Sequence, residues 1–258
     1  MINAEYIKNI PDRISIIGVP ISTVNMDSCI EFLFNNWEYL DGNYICVSNV
    51  HTTVMAHDDS DYLNVQTSSL LSIPDGKPLS VIGKRQYKAM DRVTGPDFMR
   101  KIFELSKEKE IRHFFYGTTQ ENLDTLLSKI KIDYPWLNVV GSEPSVFRTM
   151  SSLEEKDLAD RINMTDPDFV WVALGAPRQE EFCYRNEGKI NGLMVGVGGA
   201  FNVISGVIDE APQWVQDIGM EWFYRLIKEP KRLFKRYLAT NTKFIVYLLF
   251  NKKVSKNS

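Results

Sequence analysis

Short apolar segments alternate with longer amphipathic ones, and this alternation constrains the fold of the 258-residue chain more than any other feature. Segments such as 169–174 and 193–197 are continuous runs of apolar and β-branched residues, and the stretches between them have helical periodicity. Strands buried on both faces are typical of parallel sheets, because the connecting helices cover both sides of the sheet. The sequence therefore predicts an α/β fold with a Rossmann-like, mostly parallel sheet and helices on both faces.

The expected elements follow from that pattern and from capping and turn residues. Strands are expected at 14–21, 44–50, 70–73, 112–116, 137–140, 169–174 and 193–197. Helices are expected at 26–40, 52–63, 96–107, 119–130 and 152–162, and again after Pro177. Thr94, Thr118 or Thr119, and Ser152 are the candidate helix caps, and Glu155 completes a capping box with Ser152.

Ligands of open parallel sheets bind beyond the carboxyl ends of the strands, and polar or glycine-rich turns follow several of the expected strands. We call this edge the carboxyl rim. Its candidate ligand-binding residues are Asn49, His51, Gly76, Arg92, Gly95, Gly117, Gly175, Gln179, Gly198 and Gly199, and its candidate catalytic residue is Asp75.

The chemistry of these side chains suits a reaction on a charged, hydroxylated substrate. Asp75, between Pro74 and Gly76, can accept a proton from an attacking hydroxyl, although such an aspartate is more often an ordinary turn or capping residue. Asn49 can bind sugar hydroxyls or cap the helix that follows it. Arg92 precedes a helix N-terminus and can bind a diphosphate, with a surface ion pair as the alternative.

Cofactor and metal signatures are weak. The segment 196–199 reads GVGG, which is not the GxGxxG fingerprint of dinucleotide-binding proteins and comes late in the chain, so a nucleotide-dependent oxidoreductase remains only an alternative. The two DxD stretches, 59–61 and 166–168, fall at a helix end and before a strand. We therefore expect no cofactor and no metal ion.

The C-terminal segment differs from the rest in charge. Residues 221–258 contain ten Lys and Arg against Glu221 and Glu229, so this segment carries +8 and the first 220 residues carry −11 of the net −3. From Lys231 onward, the apolar side chains of 233–248 fall on one side of a helical projection and the basic ones on the other. The pattern favours residues 1–219 as an α/β domain and 220–258 as a basic amphipathic helical appendage at a membrane surface.

Other features bear on compartment and partners. The three cysteines are scattered and suit reduced, buried thiols; the N-terminus lacks a signal-peptide pattern; no apolar run approaches the roughly 20 residues that span a bilayer. We therefore expect a cytoplasmic protein held peripherally at the inner face of the cell membrane, without a nucleic-acid partner. The apolar tail could instead pack on the main domain or form a homo-oligomer.

The ordered set of motifs resembles the WecG/TagA/CpsF family of glycosyltransferases. The matching stretches, which lie within roughly 14–238, are VSNVH at 47–51, PDG at 74–76, RVTG at 92–95, YG at 116–117, LGAPRQE at 174–180, VGGAF at 197–201, AP at 211–212, GMEW at 219–222 and RLI at 225–227.

The resemblance implies an inverting, metal-independent transfer from a UDP-sugar to a sugar linked to undecaprenyl diphosphate, in the synthesis of a surface polysaccharide, an exopolysaccharide or teichoic acid. It implies Asp75 as the base and Arg92 as a ligand of the donor diphosphate. Arg225, Arg232 and Arg236 would meet the acceptor's diphosphate or the leaving group when the appendage docks. A non-catalytic peripheral membrane protein is a further alternative.

One departure concerns the donor sugar. Many relatives have threonine two residues before the asparagine, where this chain has Val47 with Ser48 between. N-acetylmannosamine, the sugar of the best-known members, is therefore one choice of donor among others.

Overall fold

A computed structural model describes residues 6–250, except for the side chains of residues 217, 232, 233, 235 and 236. Its centre is a six-stranded, all-parallel sheet with the strand order β4-β3-β8-β7-β5-β6. The strands are β3 (Tyr44–Ser48), β4 (Leu71–Pro74), β5 (Arg112–Gly117), β6 (Asn138–Glu143), β7 (Phe169–Ala173) and β8 (Leu193–Gly196). The predicted α/β class with a parallel sheet is confirmed.

Helices cover both faces of this sheet. They are α1 (Met26–Asn35), α2 (Val50–Asp58), α3 (Ser60–Ser68), α4 (Lys77–Lys84), α5 (Gly95–Leu105), α6 (Gln120–Asp133), α7 (Ser152–Asn163), α8 (Arg178–Arg185) and α9 (Ala200–Ile204), followed by α10 (Gln213–Asp217), α11 (Glu221–Lys228) and α12 (Pro230–Phe250). Side chains of α1, α5, α6 and α9 fill one core, and those of α2, α3, α7 and α8 fill the other.

Strand β7 shows how the sequence produces these two cores. Phe169 and Trp171 point into the first core, whereas Val170 and Val172 point into the second. All four are fully buried, because successive side chains of a strand lie on opposite faces and each face is covered by helices.

The N-terminal segment is not the single strand expected at 14–21. It forms an antiparallel hairpin of β1 (Arg13–Ile16) and β2 (Val19–Ser22), outside the main sheet. The turn residues Ile17 and Gly18 both have positive φ, 48° and 86°. A β-branched residue rarely adopts that conformation, so the sequence carried no recognisable turn signal here.

Several helix boundaries also differ from those expected. The helix expected at 52–63 is two helices, because Asp59 adopts an extended conformation and its side chain caps α3. The helix expected at 26–40 ends at Asn35 and is followed by a 3₁₀ turn. Helix α7 is capped by Ser151, whose capping box uses Glu154, and not by Ser152 with Glu155. Helix α4 was not expected at all.

The long C-terminal helix α12 lies at the edge of the second core. Helix α12 packs against α2, where Phe244 is buried, Lys243 Nζ lies 2.6 Å from Asp58 Oδ2, and Tyr247 Oη donates to Asp58 Oδ1 at 2.6 Å. Helices α11 and α12 are separated at Glu229, directly before Pro230. The single apolar side expected for this helix is divided, because Phe244 faces the domain while Leu238 and Ile245 are exposed.

Candidate functional site

The carboxyl ends of β3 and β4 bring Asp75 and Asn49 together. The Asp75 backbone N–H donates to Ser48 O at 2.8 Å, and a Cβ placed on Gly76 would lie 3.8 Å from Asn49 Cα. Asn49 caps α2 by accepting hydrogen bonds from the backbone N–H groups of His51 (3.0 Å) and Thr52 (3.3 Å). Asn49 therefore caps α2, as one of its two interpretations expected, and it also stands beside the candidate base, so its binding of sugar hydroxyls stays a prediction.

The Asp75 carboxyl is partly buried, and burial raises its pKa to about 6. Arg225 lowers this pKa, Glu221 raises it, and Arg92 and a side-chain hydrogen bond from Asn49 lower it. A carboxylate with a pKa near neutrality is ionised at pH 7 and still basic enough to accept a proton. The environment of Asp75 is therefore not that of a solvated turn residue, and it suits the predicted role of a base.

Arg92 connects this rim to the C-terminal helices. Its Nη1 pairs with Glu221 at the start of α11, and its Nη2 donates to Gln216 Oε1 at 3.2 Å. The ion pair is well shielded, with the Arg92 and Glu221 side chains 13% and 27% exposed. Arg225, one turn after Glu221, is exposed, and after burial its charge has the largest effect on the pKa of Asp75.

Helix α5 begins at Gly95, three residues after Arg92, and its N-terminus lies against the middle of the rim. Thr94 caps it, with its hydroxyl accepting from Asp97 N at 3.1 Å and donating to Asp97 Oδ2 at 2.6 Å. Gly95 allows this close approach, since a Cβ there would lie 3.4 Å from Val197 O and 3.8 Å from a methyl group of Val47. Val47 thus faces the start of α5.

The glycine turns after β7 and β8 are joined by Gln179. Gly175 N donates to Gln179 Oε1 at 3.1 Å, and Gln179 Nε2 donates to Gly196 O at 3.1 Å. Gln179 is buried, and a Cβ on Gly198 would approach its Oε1 to 3.1 Å. In this structure the Gln179 amide therefore organises two loops of the rim.

The remaining rim residues lie where the strand order places them. Gly117 ends β5 with a φ of 121°, and a Cβ there would lie 2.4 Å from Ala173 O. Gly199 is open, because a Cβ on this residue would meet no described atom within 4 Å. The side chains of Arg232 and Arg236 lie outside the described residues, so their part in the site stays a prediction.

The DxD stretches have other roles. Asp59 caps α3, and Asp166 and Asp168 pair with Arg112 at the amino ends of the strands. Within the described residues, no group of three or more His, Cys, Asp or Glu side chains is arranged to hold a metal ion. Two open cavities of about 500 and 480 Å³ also lie at that opposite edge, lined by surface residues such as Lys109 and Trp136, and contain none of the rim residues.

Two site residues were missed from the sequence. Glu221 falls in the GMEW stretch, and only the fold reveals that it pairs with Arg92. Glu180 follows Gln179 and is buried beneath the rim. A helical projection would have found it, because Glu180 stands three residues before the buried Cys183 and thus shares its face.

A parallel sheet covered on both faces, with polar side chains and glycine turns gathered at its carboxyl rim, places the chain among the Rossmann-like α/β proteins, a class whose ligands bind at that rim. The sequence profile of the "Glycosyl transferase WecG/TagA/CpsF family" matches residues 14–258. The chain therefore belongs to this family and is a glycosyltransferase, which sets aside the oxidoreductase and the non-catalytic membrane protein as alternatives.

Two relatives share the name N-acetylglucosaminyldiphosphoundecaprenol N-acetyl-beta-D-mannosaminyltransferase. The protein from Bacillus subtilis (strain 168) is 30% identical over 227 residues, which cover 86% of each chain. The protein from Bacillus spizizenii (strain ATCC 23059 / NRRL B-14472 / W23) is 29% identical over 222 residues, which cover 84% of each chain.

Proposed function

We propose that this glycosyltransferase moves a sugar from a UDP-sugar to a sugar carried on undecaprenyl diphosphate, with inversion at the anomeric carbon, in the synthesis of a cell-surface polymer. The observation that carries the proposal is the partly buried Asp75 carboxyl, which lies beside Asn49 and has a raised pKa that the charge of Arg225 lowers. The names of the two relatives support the acceptor class and make N-acetylmannosamine the first donor sugar to test.

In the proposed reaction the acceptor hydroxyl attacks the anomeric carbon while Asp75 takes its proton. The bond from the anomeric carbon to the diphosphate oxygen breaks, and UDP leaves with that electron pair. Arg92 and the N-terminus of α5 stabilise the negative charge that develops on the diphosphate. Arg225, whose charge lowers the pKa of Asp75, meets the leaving group or the acceptor's own diphosphate in this proposal.

The donor occupies the glycine turns in this proposal. Gly175, Gly198 and Gly199 let the backbone approach the nucleotide closely, and Gln179 keeps the two turns together. Asn49 contacts the sugar, with His51 and Gly76 next to it. Gly95 and Gly117 complete the outline of the pocket.

In this proposal the C-terminal appendage, which we assign to residues 220–258, holds the site at the membrane. Large apolar side chains are exposed along it, among them Trp222 (41%), Ile227 (63%), Phe234 (57%), Leu238 (61%) and Leu249 (63%). Together with the excess of basic residues, this surface suits the headgroup region of an anionic leaflet at the inner face of the cell membrane. Within residues 6–250, no helix combines the length and the apolar character needed to cross a bilayer.

The test uses the full chain, UDP-N-acetylmannosamine and a short-chain lipid diphosphate carrying N-acetylglucosamine. We expect release of UDP together with a disaccharide-lipid product, and loss of both in Asp75→Asn. Asp27→Asn, an exposed aspartate in the first turn of α1, is the matched control and should transfer normally. Transfer at an unchanged rate by Asp75→Asn contradicts the base assignment, and the absence of transfer from any member of a UDP-sugar panel contradicts the donor class.

A further inference from the structure

A carboxyl group that the proposed reaction does not use lies directly beneath the rim. Glu180, in the first turn of α8, is 1% exposed. Its Oε1 accepts a hydrogen bond from Gln179 Nε2 at 2.8 Å, whereas its Oε2 has no hydrogen-bond partner in the described part of the chain. Carboxyl groups are rarely buried so completely, since desolvation of the charged form is costly.

Glu180 is the third polar group that fixes the orientation of the Gln179 amide. Gln179 Oε1 must face the N–H of Gly175, and its Nε2 must face both Gly196 O and Glu180 Oε1. The bond to Glu180 is the one that a charge can strengthen, because hydrogen bonds to an ionised carboxylate are about twice as strong as neutral ones. An ionised Glu180 therefore holds the amide, and through it the turns after β7 and β8, most firmly.

The surroundings of Glu180 extend to the other half of the rim. Tyr62 of α3 lies beside Glu180, and its hydroxyl accepts from Gln66 Nε2 at 3.1 Å. Gln66 Oε1 in turn accepts from the Ser48 hydroxyl at 2.7 Å, one residue before Asn49. A buried polar chain thus connects the glycine turns to the end of β3.

The groups that face Glu180 hold it near the point of ionisation. Burial raises the pKa of Glu180 to about 7; the bond from Gln179, a backbone N–H and Tyr62 lower this pKa, and Glu181 raises it. Cys46 of β3 and Cys183 of α8 are the other titratable neighbours, and burial raises the pKa of both thiols, so they remain neutral near pH 7. Glu180 is thus the group here that changes charge near neutrality.

We propose that Glu180 is a positioning residue for the donor: its ionised carboxylate orients Gln179 and so holds the two glycine turns in the shape that receives a nucleoside diphosphate sugar. This inference rests on the proposed function for the location of the donor. Glu180 touches no reacting atom, so it acts on donor affinity and leaves the rate of transfer from the bound donor unchanged. Donor affinity then falls as Glu180 is protonated below about pH 7.

The experiment measures the Kd of UDP-N-acetylmannosamine by calorimetry from pH 6 to 8.5 on the full chain. The diphosphate of this probe is a diester and does not titrate in that range. We expect the Kd of the wild type to rise about five-fold between pH 8.5 and pH 6, the size expected for loss of a charge-assisted bond. Glu180→Gln, which imitates the protonated side chain, should bind with the weaker Kd at every pH and with an unchanged kcat at saturating donor.

Two comparisons separate this effect from others. Glu181→Gln, on the same helix, should keep the pH dependence with its midpoint moved slightly lower, because Glu181 raises the pKa of Glu180. Ionisation of Asp75 would repel the donor diphosphate as pH rises, so it acts in the opposite direction and persists in Glu180→Gln. The difference in the pH dependence of the Kd between Glu180→Gln and the wild type is therefore caused by ionisation of Glu180.

The outcomes distinguish the two proposals. If the wild type binds the donor and Glu180→Gln keeps the same pH dependence, the positioning role is refuted while the proposed function stands. If the wild type fails to bind any UDP-sugar, both are refuted. Should Glu180→Gln fail to fold, Tyr62→Phe serves instead, because loss of the hydroxyl that lowers the pKa of Glu180 must move the midpoint to higher pH; an unmoved midpoint overturns the proposal.

Discussion

Replacement of Asp75 by asparagine should abolish transfer and at the same time stabilise the protein. An aspartate carboxyl has an ordinary pKa of 3.8, which applies in the unfolded chain, whereas the pKa of Asp75 is about 6 in the folded protein, where burial disfavours its charge. Since each unit of pKa corresponds to about 1.36 kcal/mol, a difference of about two units makes the ionised side chain unfavourable by up to about 3 kcal/mol at pH 7.5. The side chain keeps some solvent contact, which screens its charge and makes this value an upper limit.

The pH dependence of this gain identifies its cause. The folded-state pKa is raised, so the unfavourable contribution is complete above about pH 6 and disappears below pH 3.8, where Asp75 is neutral in both states. The advantage of Asp75→Asn should therefore fall from about 3 kcal/mol at pH 7.5 to about half of that at pH 5. Because asparagine has nearly the same shape, contacts with Asn49 and the neighbouring turn change little.

Urea unfolding of both proteins at pH 7.5 and pH 5, without substrates, measures this difference directly. A gain of similar size at both pH values would show that charge is not its origin. A loss of stability at pH 7.5 would refute the claim that the carboxylate is desolvated, and retained transfer activity would refute its role as base. The combination of lost activity and gained stability is the mark of a strained catalytic group.

The other predictions concern the surroundings of Asp75, the core and the appendage. Glu221 raises the pKa of Asp75, so Glu221→Gln should move the acidic limb of the kcat/KM profile to lower pH. Arg225 lowers the same pKa, so Arg225→Gln should move that limb to higher pH, and shifts of both variants in the same direction would contradict these assignments. Burial lowers the pKa of His113 to about 3, so at pH 5 this histidine is protonated in the unfolded chain but neutral in the folded protein. That difference should lower the free energy of unfolding by about 2 kcal/mol at pH 5, and His113→Gln should remove this part of the acid sensitivity in urea titrations. Replacement of Leu238, Ile245 and Leu249, three exposed residues of α12, by serine should reduce cosedimentation with anionic vesicles while UDP binding is retained. Unchanged cosedimentation would mean that this face of α12 binds a second copy of the chain or nothing.

The central sheet could be predicted because its strands are encoded locally. A run such as Phe169–Ala173 is apolar throughout, and only a strand covered on both faces buries every one of its side chains. Helix α5 could also be predicted from the sequence, since Thr94 caps it and its buried residues recur at helical spacing. Helix α4 was missed because Pro78 and Gly83 break its helical pattern, yet Pro78 suits a first turn and Gly83 lies where a Cβ would collide with Met90.

The candidate site was predictable in position but not in its electrostatics. Turns at the ends of parallel strands meet at one rim whatever their residues, so Asn49 and Asp75 could be placed near one another from the order of strands and helices. The pairing of Arg92 with Glu221 joins positions 129 residues apart, and the burial of Glu180 depends on α3 lying over α8. No local pattern indicates the pairing of Arg92 with Glu221, and for Glu180 a helical projection indicates the buried face but not the helix that covers it.

The ion pair between Arg92 and Glu221 connects the appendage to the proposed donor site. If Arg92 binds the donor diphosphate, that anion competes with the Glu221 carboxylate for the same guanidinium group, and Gln216 on α10 is released with it. Coupling between two ligands of one group is reciprocal, so a donor that loosens α11 from Arg92 must itself bind more weakly when α11 is held in place. The docked position of α12, fixed to α2 through Asp58, Lys243 and Phe244, is then one of the states that sets donor affinity. If Arg92 binds the donor as proposed, donor binding and the position of the appendage are therefore linked through this one arginine.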